Sequence, residues 1–172
     1  ISPGSGNLGL WVCPTTVISH WHRKLGEHAP GLKTAVYYGG DRDLAAVIEE
    51  NDVILTSYGI LQRDVSHIKQ IYFSIAVFDE IQNIKNRETK TYRAAEIVRA
   101  DIKIGLTGTP VENTLADLKS LLDLTVPGYL GTEDHFLRRY LIPIEQDLNV
   151  SQREELSRLI SPFVLRRLKG TV

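Results

Sequence analysis

Cysteine is almost absent from this 172-residue chain. A single thiol, Cys13, cannot form an internal bridge, so disulfide-stapled secreted scaffolds are excluded and a reducing compartment is favoured. It sits in the apolar run LWVC, where it reads as a small buried hydrophobe rather than a redox group. Long apolar runs are missing too. No window approaches the roughly 20 apolar residues that a membrane-crossing helix needs, and the start of the chain lacks the basic segment and apolar block of a signal peptide. No membrane partner is expected, and the expected location is the cytoplasm of a prokaryote or the nucleus of a eukaryote. Neither sign of charge is in excess: 20 Lys and Arg face 21 Asp and Glu, for a net charge of -1. Any contact with nucleic acid must therefore come from local groups. No Ser, His and Asp set has nucleophile spacing. His20 and His22 are two apart and do not share a helix face, which argues against a zinc pair. Trp21 between them reads as a helix-face core anchor.

What is present describes a globular domain. Hydrophobic residues make up 42% and charged residues 24% of the chain, and a domain of this size buries about 70% of the surface its unfolded chain exposes. Residues 1–9, rich in Gly, Ser and Pro, read as a native loop or a cloning scar. Short apolar runs then recur at Leu10 to Cys13, Thr34 to Tyr38, Asp52 to Thr56, Ser74 to Phe78 and Ile102 to Leu106. Between them lie helical patterns at about 17–28, 41–50, 58–70 and 88–99, the second with Asp41 as its expected cap. Strands alternating with helices imply a doubly wound α/β fold: an open, mostly parallel sheet with helices on both faces. Past Pro110 the strand signal stops. Helical patterns at about 114–124, 132–140 and 151–160, interrupted by VPGYLG and Pro143, predict a helical extension over 111–172.

Ligands of such sheets bind beyond the carboxyl ends of the strands. The run SIAVFDEIQ ends there in Asp79 and Glu80. Asp79 suits magnesium, held through water, because that ion takes oxygen ligands and keeps part of its hydration shell. Glu80 would orient and deprotonate an attacking water. Gln82 can exchange hydrogen bonds with a phosphate or a facing domain. A second strand end, IGLTGTPVEN, offers Thr107, Gly108 and Thr109, with hydroxyls able to bond toward the acidic strand. Taken singly, the acid pair also fits a solvated turn, and the second motif also fits a plain strand-to-helix turn.

The runs FDEIQNIKN and GLTGTPVEN resemble motifs II and III of the Swi/Snf, or sucrose-nonfermenting, helicase-like ATPases of superfamily two. LWVCPTTVISHW resembles their motif Ia, DVILTSYGIL their motif Ib, and ISPFVLRRLK the stretch that closes their first RecA-like lobe. The resemblance implies a RecA-like fold of the P-loop NTPase type over 10–110. It implies Asp79 and Glu80 as metal and water-activating acids, Gln82 as coupling residue, and Thr107 to Thr109 as the link from hydrolysis to lobe movement. Pro14, Thr15 and Thr16 would meet a DNA phosphate, and Thr56, Ser57 and Tyr58 the same strand. Lys85, Asn86 and Arg87, with Arg166 and Arg167, would add to that groove.

Two departures stand out. Ile81 occupies a place commonly filled by alanine, and nowhere does the chain contain the GKT or GKS that ends a phosphate loop. The resemblance puts that loop upstream and an arginine finger in a second RecA-like lobe downstream. The chain is thus expected to be part of a double-stranded DNA translocase that remodels nucleoprotein or another DNA-bound protein. The complete enzyme would use ATP and Mg2+, and this piece would bind neither tightly nor turn over ATP. The alternatives are a non-catalytic lobe that docks DNA or protein, and an unrelated α/β phosphotransfer domain. A strand missing from within the sheet would also leave unpaired edges open to dimerisation.

Overall fold

The computed structural model describes residues 8–108 and 114–165. Thr109, Arg166 and Arg167 lie outside them. The chain divides into two compact units, Ile1–Pro127 and Gly128–Val172. The division falls 17 residues later than the change from strand to helix pattern after Pro110 suggests, because α6 (Leu115–Thr125) packs on the sheet unit and contributes Leu121 and Leu124 to its core.

The first unit is a five-stranded parallel sheet in the order β2-β3-β1-β4-β5. Its strands are β1 (Gly9–Cys13), β2 (Thr34–Val36), β3 (Val53–Ser57), β4 (Tyr72–Phe78) and β5 (Arg99–Gly105). β1 lies between β3 and β4, with Leu10 opposite Ile54 on one side and Ala76 on the other. In this central strand Leu10, Val12 and Cys13 are all buried. The continuous apolar run follows from cover on both faces, since only a strand with one wet face needs to alternate. The helices of this unit are α1 (Ile18–His28), α2 (Leu44–Glu50), α3 (Tyr58–Arg63), α4 (Val65–Ile68), α5 (Lys90–Ile97) and α6.

Several local expectations shift. The cap of α2 is Asp43, whose carboxylate accepts from the N–H groups of Ala45 and Ala46, not Asp41 two residues earlier. The helix predicted over 58–70 breaks at Asp64 into α3 and α4. The carboxylate of Asp64 turns to a tertiary partner there: Arg42 donates to both of its oxygens, through Nη2 at 2.7 Å and Nε at 2.5 Å, and the Tyr37 hydroxyl donates at 2.8 Å. β5 begins three residues earlier than its apolar run suggests. Among the described residues the sheet order β2-β3-β1-β4-β5 is continuous, with no gap between neighbouring strands. Among the described residues β5 pairs with β4 alone, and Ile102 is 57% and Ile104 38% exposed.

In the second unit, α7 (Glu133–Phe136) runs through a single π turn (Leu137–Leu141) into α8 (Ile142–Glu145), followed by α9 (Val150–Ile160). Pro143 does not end the helical path as predicted: it closely follows the π turn, where the regular i→i−4 ladder is already interrupted. The Tyr140 hydroxyl and Arg139 both donate to Glu155, tying the π turn to α9.

Ile81 finds its room in β5. It is buried, and a Cβ on Gly105 would stand 2.6 Å from its Cδ1 and 3.0 Å from its Cγ2. The larger residue in the acid loop is therefore matched by the absence of a side chain on the neighbouring strand. Gly105→Ala should destabilise the fold by about 1–3 kcal/mol through overpacking. In the Ile81→Ala background the same change should cost less, with a coupling of about 0.5–3 kcal/mol measured by urea unfolding of the four proteins. Additive effects would show that the two side-chain positions do not compete for space.

The Arg42 guanidinium and the Tyr37 hydroxyl hold the Asp64 carboxyl below the usual range, Arg42 contributing most. A depressed carboxyl adds stability that is complete above the ordinary aspartate value near about 4 and is lost as pH falls through the depressed value. Asp64→Asn should therefore lower the melting temperature by about 2–4 °C at neutral pH. The gap to the parent chain should close on acidification below that point in thermal scans across pH, and a gap independent of pH would contradict the assignment.

Candidate functional site

Because all the strands run parallel, their carboxyl ends lie along one edge of the sheet. β1 delivers Pro14 to Thr16 to that edge, β3 delivers Ser57 and Tyr58, β4 delivers Asp79 and Glu80, and β5 delivers Leu106 to Gly108. The pairing of Val12 with Phe78 brings the end of β1 beside the acid pair, and the Asp79 N–H continues the ladder to the Val12 carbonyl at 2.8 Å. On the other side, Leu106 N–H donates to the Phe78 carbonyl and Ile81 N–H to the Leu106 carbonyl, so the two predicted motifs are bonded to each other through the main chain.

Asp79 is held from three directions. Its Oδ2 accepts from the Trp21 indole N–H at 2.6 Å, its Oδ1 accepts from the Glu80 N–H at 3.0 Å, and its carbonyl accepts from the Tyr58 hydroxyl at 2.7 Å. Trp21 packs against Trp11 of β1 with ring centroids 4.5 Å apart and planes tilted at 47°. Burial, and then the negative charge of Asp79, push the Tyr58 phenol well above its ordinary value, so it stays a donor at any working pH. The same two causes push the Cys13 thiol up to about 12. Its Sγ donates to the Thr56 carbonyl, and the group is chemically inert at neutral pH, as a structural thiol should be.

Glu80 has φ 50° and ψ 46°, in the left-handed region, and leads into a tight 3₁₀ turn at Ile81–Ile84. The turn folds Gln82 back so that its amide Nε2 donates to Glu80 Oε2 at 2.5 Å. Gln82 Oε1 is buried and finds no partner among the described residues. A Cβ at Gly108 would lie 3.9 Å from Glu80 Oε1, so the second motif reaches the acid with bare backbone. Thr107 is exposed beside it.

Other predicted positions separate into two groups. Thr15 and Thr16 are exposed in a 3₁₀ turn between β1 and α1, with Pro14 partly buried before them. Thr56 and Ser57 are buried instead, at 0% and 3% exposure. The Thr56 hydroxyl donates to the Tyr37 carbonyl and the Ser57 hydroxyl caps α3, so neither side chain faces a passing strand. The Tyr58 hydroxyl likewise turns inward to Asp79. Lys85 pairs with Asp117 at 2.8 Å, while Arg87 pairs with Asp123 at 2.5 Å and donates to the Ser120 hydroxyl, both reaching α6 rather than a groove. Asn86 accepts from the Glu88 N–H and shapes its own turn. The sequence reading missed Trp21 as a partner of Asp79. The signal was its place one turn into the helix that follows β1, beside the strand that carries the acids.

The acid loop presents oxygen ligands suited to a hard cation. Each Asp79 carboxylate oxygen accepts one protein hydrogen bond and keeps a lone pair, and Glu80 stands next to it. Among the described residues no group of three or more His, Cys, Asp or Glu is gathered to enclose a metal. This donor set fits magnesium, which binds through one or two carboxylates and retains most of its water. Among the described residues no helix is long and apolar enough to cross a membrane.

The chain is similar to known proteins. The chain is 42% identical over 93% of its length to YwqA of Bacillus subtilis (strain 168), whose name is that of an ATP-dependent helicase/translocase, and covers 18% of that protein. It is 35% identical over 95% of its length to the TATA-binding protein-associated factor MOT1 of Saccharomyces cerevisiae, covering 10% of it. Among solved structures, the Sulfolobus solfataricus SWI2/SNF2 ATPase core in complex with dsDNA superposes with a TM-score of 0.84 at 38% identity, covering 95% of this chain and 34% of that one. The free ATPase core domain gives 0.80 at 39% identity. The sheet order and helical cover are those of the RecA-like fold expected from the motifs. The SNF2-related domain matches residues 6–172, and the chain therefore belongs to the SNF2-related family.

Proposed function

We propose that the chain is the acid-bearing part of an ATP-dependent double-stranded DNA translocase that remodels DNA-bound proteins, acting in the cytoplasm of a prokaryote or the nucleus of a eukaryote. The observation that carries this reading is the convergence of Asp79, Glu80, Gln82 and Gly108 at the carboxyl edge of the sheet, with Glu80 within reach of both Gln82 and the β5 loop. The dsDNA bound to the Sulfolobus ATPase core supports the polymer, and MOT1, by its name a factor associated with a TATA-binding protein, supports the class of target.

Asp79 would hold magnesium through water. That ion supplies the positive charge that stabilises phosphoryl oxygens during transfer. Glu80 orients the attacking water and takes its proton. Gln82 has one amide end committed to Glu80 and the other without a partner among the described residues, so its carbonyl oxygen can receive a donor from a bound nucleotide or a facing lobe. Thr107, Gly108 and Thr109 link that chemistry to movement between lobes. Thr15 and Thr16 offer hydroxyls and backbone N–H groups to a DNA phosphate. The pairing of Lys85 and Arg87 with α6 supports a role in holding the acid loop rather than in contacting DNA.

In a longer protein carrying an upstream GKT and a second lobe, DNA should stimulate ATP hydrolysis, and Glu80→Gln should lower kcat by about 10²–10⁴-fold while leaving DNA binding in place. DNA binding without any hydrolysis in the unaltered longer protein would favour a docking module. The 172-residue chain itself contains no phosphate-loop lysine, and the loss of an arginine finger alone costs about 10³–10⁵ in rate. Phosphate release from ATP by the purified chain should stay at the buffer rate, and measurable turnover would refute the need for those groups.

A further inference from the structure

The bonds that hold Asp79 are not explained by packing alone. Its carboxylate and its carbonyl are each gripped by an aromatic side chain from a different helix. Trp21 in α1 donates its indole N–H to Oδ2 at 2.6 Å, and Tyr58 at the start of α3 donates its hydroxyl to the main-chain oxygen at 2.7 Å. The third bond, from the Glu80 N–H to Oδ1, is local and would survive a rotation of the surrounding helices. A single donor on Oδ2 leaves that oxygen able to accept from a metal-bound water as well. It also fixes the carboxylate plane, which otherwise rotates freely about the bond to Cβ. The Tyr58 bond fixes the peptide that joins Asp79 to the left-handed Glu80, and so the direction in which the acid pair faces.

We propose that Trp21 and Tyr58 are positioning residues for Asp79, orienting its carboxylate for a hydrated divalent cation through a hydrogen bond to each end of the residue. This rests on the reading of Asp79 as the metal-binding acid. Hydrogen-bond partners that orient a metal-binding carboxylate are commonly worth about 10–100-fold in metal affinity.

The molecule contains its own control. Trp11 and Trp21 are the two tryptophans of the chain and pack against each other, yet the Trp11 indole N–H is buried and finds no partner among the described residues. Trp11→Phe and Trp21→Phe remove the same group from the same ring pair, and only the second removes a bond to Asp79. The 15N-labelled 172-residue chain is titrated with Mn2+ alone, and paramagnetic broadening of the Glu80 and Ile81 amide signals gives the midpoint. The unaltered chain and Trp11→Phe should share one midpoint, while Trp21→Phe and Tyr58→Phe should raise it about tenfold. The amide spectra away from the acid loop report whether each variant keeps the fold. Midpoints for Trp21→Phe and Tyr58→Phe equal to the unaltered chain, or a shift for Trp11→Phe as large as for Trp21→Phe, would overturn the positioning role. Absence of broadening in the unaltered chain would overturn it at its premise, the metal reading of Asp79. Because neither ATP nor DNA is present, a failure of DNA-stimulated hydrolysis in the longer protein is a separate result.

Discussion

The site depends on one arrangement, the fixing of Asp79 at the end of β4 by groups from three other elements. The strand ladder brings its N–H to Val12 of β1, α1 brings the Trp21 indole, and α3 brings the Tyr58 hydroxyl. Carboxylates at strand ends are ordinarily solvated and rotate. Here the polar atoms of one residue are distributed among neighbours that cannot move independently, because β1 and β3, which lead into α1 and α3, are paired in the same sheet. Any displacement of the Pro14–Thr16 turn or of the Ser57–Tyr58 junction is thereby felt at the acid pair through no more than one side chain.

Charge is managed on the opposite side of the same loop. Lys85 and Arg87 follow the acids by a few residues and would, if exposed, draw the carboxylates toward themselves. α6 prevents this by meeting them with Asp117 and Asp123. Asp123 also accepts from Lys119, whose side chain is nearly buried, so one carboxylate anchors two cations. Buried or half-buried pairs of this kind contribute little net stability compared with apolar packing, since desolvation offsets much of the attraction. Their effect is geometric, because a cation that is hydrogen-bonded to α6 leaves Asp79 and Glu80 to other partners. The Tyr92 hydroxyl of α5 donates to the Ser120 carbonyl, adding a neutral bond to the core packing that holds α6 with the sheet.

Much of this was legible in the sequence because it depends on short-range patterns. Each of the five apolar runs overlaps a strand, and the acids fall at a strand end, since a central parallel strand covered on both faces needs consecutive apolar residues. What the sequence left open depends on distance in the chain. Asp43 rather than Asp41 caps α2 because the cap is chosen by where the backbone enters the helix, a difference of two residues that composition does not resolve. The break at Asp64 follows from Arg42, 22 residues away. The hydroxyls of Thr56 and Ser57 look available in the sequence and are consumed by Tyr37 and by the cap of α3. Trp21 reads as a core anchor because its ring does pack against Trp11, and its polar edge has a target 58 residues further on. Amphipathic residues are misread in this way when only one of their two ends is considered.

Glu80 shows why the loop takes its form. A non-glycine residue in the left-handed region costs roughly 1–2 kcal/mol, and a glycine would relieve that cost while deleting the carboxylate. The conformation persists because the bonds on either side of it leave no other path: Asp79 N–H is committed to β1, Ile81 N–H to the Leu106 carbonyl, and Asn83 N–H to the Glu80 carbonyl itself. Ile81 must then enter the sheet side, where the bare backbone of Gly105 admits it. The backbone turn that buries Ile81 is the same turn that sends the neighbouring Glu80 carboxylate outward, beside Gln82 and Gly108. Packing on one face of the loop thus sets the position of the acid on the other. The local strain is sustained by hydrogen bonds and by a glycine on a different strand, which is the kind of observed outlier from which a functional role can be inferred.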